Sequence, residues 1–105
     1  MRTLSVIEIT NKLISFNTSN PPGNEHDCAR WAADYLDSHG FDVLLVSHTE
    51  QRSSVVASKK GQAGGGKVVF NGHLDTVPPG SGWNTDPYQG TEKDGRIYGR
   101  GAADM

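Results

Sequence analysis

Two clusters in this 105-residue chain carry side chains suited to metal chemistry: Asn71-Gly72-His73-Leu74-Asp75 and Tyr98-Gly99-Arg100-Gly101-Ala102-Ala103-Asp104. His73 and Asp75 follow the apolar run Val68-Val69-Phe70, and in extended backbone residues i and i+2 point to the same side. An imidazole and a carboxylate therefore converge at the carboxyl end of a predicted strand, where α/β sheets open onto the crevice that holds ligands. Alone, the triplet supplies at most two donors where zinc needs three or more, and a histidine at a strand end also reads as an ordinary turn residue. In the second cluster the glycines let backbone approach closely. Asp104 reads there either as the cap of a helix beginning at that point or as a carboxylate ligand whose small neighbours leave room for a metal. Local chemistry leaves both readings open.

The remaining reactive side chains point elsewhere. His39 falls near the end of a predicted helix, where a cation suits the dipole, while His26 and His48 read as solvated residues. Cys28 lies on an apolar helical stripe, so it reads as packing rather than as a reactive thiol. Arg100 could grip a substrate carboxylate with its two-pronged guanidinium, but bracing the turn through backbone carbonyls is the better reading. Trp83 either closes its loop over the sheet edge or lines the site entrance. Gly61 to Lys67 imitates a phosphate-binding loop, yet Val68 stands at the Ser/Thr position and a strand follows where a helix start is required.

The elements that must position these groups are readable in outline. Ser5-Val6-Ile7-Glu8 matches a capping box, so a helix begins near Val6; Val6, Ile9, Leu13 and Phe16 keep helical spacing, and Asn17 to Gly23 breaks it. A second helix follows, with Asn24 as its expected cap, Cys28, Trp31, Ala32, Tyr35 and Leu36 as its apolar stripe, and Gly40 as its stop. Phe41 to Ser47 and Ser53 to Ser58 read as strands of one sheet, and Lys67 to Phe70 as a buried central strand. A loop anchored by Trp83 and Tyr88 leads to Asp94-Gly95, the pattern of a two-residue type I′ hairpin. No repeat and no boundary between domains is visible.

Bulk properties exclude several classes. Ten basic and twelve acidic residues give a charge of -2 without a basic cluster, which argues against a nucleic-acid partner. The longest apolar runs fall far short of the roughly 20 residues that span a bilayer. Glu8 interrupts any secretory leader, and a lone cysteine suits a reducing compartment, so the expected location is cytoplasmic. An apolar content of 34% with 13 glycines is lean for a self-contained core.

Taken together, Gly72-His73-Leu74-Asp75-Thr76-Val77-Pro78, Gly82-Trp83, Asp86-Pro87-Tyr88 and the run from Asp94 to Met105 resemble the co-catalytic metallopeptidases. That family includes aminoacylase, acetylornithine deacetylase, succinyl-diaminopimelate desuccinylase and glutamate carboxypeptidase. The resemblance implies an α/β fold, with residues 1–105 as the amino-terminal portion of a three-layer α/β/α catalytic domain: two helices, then a mixed sheet with a hairpin. It implies two divalent metal ions, zinc by preference with cobalt or manganese as the other candidates. His73 would be a terminal ligand of one metal and Asp104 would bridge both, while Asp75 would support catalysis by orienting His73 through its ring nitrogen. The implied reaction is hydrolysis of an amide bond in a small carboxylate-bearing N-acyl amino acid or peptide-like substrate. The family's general base, its remaining ligands and its smaller dimerisation domain have no counterpart in this sequence. The expectation is therefore a truncated, inactive piece of an enzyme whose complete form is a homodimer. The alternative is a binding module that keeps the sheet without the chemistry.

Overall fold

In the computed structural model, which describes residues 1–105, helix α1 (Val6–Ile14) and helix α2 (His26–Ser38) precede strands β1 (Asp42–Ser47), β2 (Ser53–Ser58), β3 (Thr91–Lys93) and β4 (Arg96–Tyr98). The capping box forms as the sequence requires: Glu8 N donates to Ser5 Oγ at 3.2 Å and Ser5 N donates to Glu8 Oε2 at 2.8 Å. α1 closes at Ile14, short of Phe16, whose ring instead lies 6.4 Å from that of Trp31. That contact joins the two helices.

The start of α2 departs from expectation. Glu25, not Asn24, occupies the cap position and makes no side-chain cap bond. The free amide of His26 is satisfied by the carbonyl of Gln51 at 2.9 Å, so a tertiary contact does the work assigned to a local cap. Gly40 ends the helix at φ +83 as foreseen. The face turned inward is Cys28, Ala29 and Ala33, and it packs on β1 and β2. The larger stripe residues Trp31 and Tyr35 stack on one another at 5.5 Å, only partly covered.

β1 and β2 pair antiparallel from Asp42↔Ser58 to Ser47↔Ser53, and β3 and β4 from Thr91↔Tyr98 to Lys93↔Arg96. Asp94 at φ 53 and Gly95 at φ 72 give the type I′ turn. The architecture is thus α/β, but its strands form two separate two-stranded sheets rather than one mixed sheet. Lys67 to Phe70 forms no strand, and Val68, Val69 and Phe70 are 83%, 81% and 94% exposed. A run so apolar needs ladder partners on both sides to be buried, and neither two-stranded sheet pairs with it. The core is small, with Ile14, Cys28, Ala29 and Ala33 as its buried apolar members. No helix is long and apolar enough to cross a membrane.

Candidate metal centre

Residues 72–76 are held by the turn that follows α1. Thr76 N donates to Thr18 O at 3.0 Å, Asn20 N donates to Thr76 O at 2.8 Å, and Thr18 Oγ1 donates to Leu74 O at 2.7 Å. These bonds form a short parallel bridge between Ser19 and Thr76. The segment that reads as a simple breaker is therefore the splint that fixes Asp75.

The second cluster is brought up by packing. Gly99 lies against Ile14, and a Cβ there would come within 2.6 Å of Ile14 Cγ2. Gly101, at φ +91, turns the chain, and the tail folds back so that Met105 Cε sits where a Cβ of Gly72 would be. Residues 99–103 form turns and bends that lead to Asp104.

The outcome is that His73, Asp75 and Asp104 meet. His73 Nε2 lies 3.1 Å from Asp104 Oδ1, and His73 Nδ1 lies 2.8 Å from the Asp75 carbonyl oxygen and 3.4 Å from Asp75 Oδ1. The backbone carbonyl is thus the nearer partner of Nδ1, and the carboxylate stands behind it. A carbonyl oxygen only accepts, so Nδ1 carries the proton and a neutral ring presents its Nε2 lone pair to Asp104. Two acceptors facing each other at that distance are reconciled by a proton or by a cation. The Asp75 carbonyl holds the His73 pKa above the ordinary imidazole value, helped by the carboxylates of Asp104 and Asp75 against the effect of desolvation, so these surroundings favour a proton at Nε2. The Asp75 carboxyl is held below its usual range, chiefly by the hydrogen bond from Asn20 Nδ2 at 2.9 Å, with His73 and Arg52 adding to it against the effect of burial.

His73 is half-exposed and Asp104 fully open to solvent, so the pair is accessible. Beside it lies a mainly apolar cavity of about 270 Å³, bordered by Ile14, Cys28, Leu74, Thr76 and Arg100. Arg100 braces the neighbourhood, though not by gripping carbonyls with its guanidinium. Its amide donates to Pro87 O at 2.7 Å, and its guanidinium lies 5.2 Å from the centre of the Trp83 ring. Trp83 donates to Pro79 O and Tyr88 bonds Ser19, which anchors the loop as expected.

The other histidines stay apart from this centre. His26 is only partly exposed: its Nδ1 lies 2.6 Å from Ser53 Oγ, tying α2 to β2. His48 bonds Ser54, and His39 Nδ1 meets the Tyr35 carbonyl at the end of α2. Sequence reasoning missed Asn20 and Arg52, both turned toward Asp75. Neither lies in a motif, and no local signal marks them.

Comparison with known proteins places relatives around the chain. The profile of Peptidase family M20/M25/M40 matches residues 69–105, the segment that contains His73, Asp75 and Asp104. Over that segment the chain matches that family. It is 39% identical over 102 residues to a succinyl-diaminopimelate desuccinylase of Nautilia profundicola, covering 97% of this chain and 26% of the relative. It is 38% identical over 109 residues to one from Bordetella pertussis, covering 100% and 27%. The fold matches the crystal structure of human carnosine dipeptidase 1 with a TM-score of 0.78 and 30% identity over 93% of this chain and 24% of that one. The chain thus spans about a quarter of the length of the proteins it matches.

Proposed function

We propose that the M20 protein built on these residues is a metal-dependent hydrolase that cleaves the amide bond of a small, carboxylate-bearing N-acyl amino acid or peptide-like substrate. The observation that carries the reading is the approach of His73 Nε2 to Asp104 Oδ1, held 3.1 Å apart across 31 residues of sequence. The donor set, one imidazole and one carboxylate, suits zinc, with cobalt or manganese as alternatives. When bound, a metal pair supplies a water of lowered pKa and polarises the scissile carbonyl.

In this reading His73 would hold one metal ion and Asp104 would be the ligand shared with the second. Asp75 fixes which His73 nitrogen is free: its carbonyl accepts from Nδ1–H and its carboxylate raises the basicity of the ring. The cavity beside His73 offers an apolar wall for an acyl chain. No group of three or more metal-binding side chains converges within these residues, so hydrolysis requires ligands beyond the pair, and the chain alone is expected to be inactive.

The deciding experiment replaces the corresponding segment of the Nautilia profundicola desuccinylase with this chain. The expected chimera takes up zinc and releases succinate from N-succinyl-diaminopimelate, and both His73→Ala and Asp104→Ala reduce release to background. A folded, zinc-loaded chimera inert toward succinylated and acetylated amino acids contradicts the proposal. So does turnover that survives loss of His73.

A further inference from the structure

We propose that Arg52, clamped by the buried Glu25, and Asn20 are positioning residues that fix the Asp75 carboxylate against the His73 ring. The inference rests on the metal-centre reading above and deepens it.

Glu25 is only 7% exposed, a rare setting for a carboxylate. One of its oxygens accepts from Arg52 Nε at 3.0 Å and the other has no hydrogen-bond partner. Arg52 is therefore the group that compensates Glu25. The guanidinium is planar and rigid, so the bond at Nε also fixes the direction of its other prong. That prong, Nη2, lies 3.8 Å from Asp75 Oδ2. The slot is shaped for this: at Gly23, φ +85, a Cβ would stand 2.7 Å from both Arg52 Cζ and Nε. The bond from His26 N to Gln51 O fastens the loop carrying Arg52 to the start of α2.

Asn20 approaches from the other side and donates to the same Oδ2 at 2.9 Å, its own backbone pinned to Thr76. Asp75 Oδ2 is thus engaged from two separate parts of the chain, which leaves Oδ1 to face His73 Nδ1 at 3.4 Å. With Arg52 about a third exposed, the ion pair adds little to stability. Its effect is to select one orientation of Asp75.

The test uses the 105-residue chain and its Asn20→Ala and Arg52→Lys variants. Lysine keeps a cation beside Glu25, but one ammonium cannot span two carboxylates. Three-bond scalar couplings report the Asp75 χ1 rotamer, and calorimetry reports zinc uptake. The expected result is a single rotamer in the parent chain, averaging in both variants, and zinc affinity lower by roughly tenfold at an unchanged unfolding temperature. Parent-like couplings and zinc affinity in both variants overturn the proposal. Should Arg52→Lys fail to fold, Asn20→Ala, which leaves the Glu25–Arg52 pair intact, decides by the same couplings. The metal-centre reading stands or falls on the chimera above, while the couplings show by themselves whether Asn20 and Arg52 hold Asp75.

Discussion

His73 Nε2 and Asp104 Oδ1 lie 3.1 Å apart, and neither sits on a helix or a strand. Their approach is produced by two supports: the bridge of Thr18 to Asn20 onto Leu74 to Thr76, and the packing of Gly99 on Ile14. α1 lies behind both, since it carries Ile14 and leads directly into Thr18. The site is therefore as well ordered as α1 and its seating.

The contact between Gly99 and Ile14 leaves no room for a methyl group. Gly99→Ala must displace Ile14, which is 4% exposed, and overpacking of this kind costs about 1–3 kcal/mol. Thermal unfolding followed by circular dichroism should show a lower midpoint. Because the same glycine leads into the turn before Asp104, zinc uptake should fall as well.

The amino-terminal cap makes a pH-dependent contribution. Glu8 is drawn down to about 2, first by its hydrogen bond from Arg2, at 2.6 Å, and then by its bonds with Ser5. A carboxyl depressed on folding stabilises the protein above its unfolded pKa, and that contribution disappears as the pH falls through about 2. Melts between neutrality and strong acid should therefore lose this part of their pH dependence in Glu8→Gln. Ser5→Ala should lower stability by about 1 kcal/mol at neutral pH.

Cys28 is 2% exposed, and burial, with Glu25 nearby, pushes its thiol up to about 11. Near pH 8 its thiolate is then about a hundredfold scarcer than in an ordinary thiol, quite apart from its inaccessibility. A thiol reagent monitored by mass spectrometry should leave the native chain unmodified and label it fully in denaturant. Rapid labelling of the folded protein would contradict the packing described for α2.

What the sequence makes legible follows the range of the interactions. The Ser5–Glu8 capping box and the Asp94-Gly95 turn depend on neighbours within a few residues, and both form as read. The start of α2 is misread because the carbonyl that satisfies His26 belongs to Gln51, across a tertiary contact. Lys67 to Phe70 is correctly apolar, but composition announces a need for burial without naming the partner, and none lies beside it. The neighbourhood of His73 and Asp104 is foreseeable only through the composite family pattern. Asn20, 55 residues from Asp75, and Arg52 are invisible in that pattern, because their role exists only once the turn after α1 is laid along Leu74 to Thr76.

The most direct test of a shared metal at His73 and Asp104 is a zinc titration of the chain followed by long-range ¹⁵N–¹H spectroscopy of its histidine rings. The account predicts that zinc moves the Nε2 resonance of His73, leaves those of His26, His39 and His48 in place, and has no such effect in Asp104→Ala. A His73 resonance indifferent to zinc, or one that responds equally with and without the Asp104 carboxylate, would contradict it.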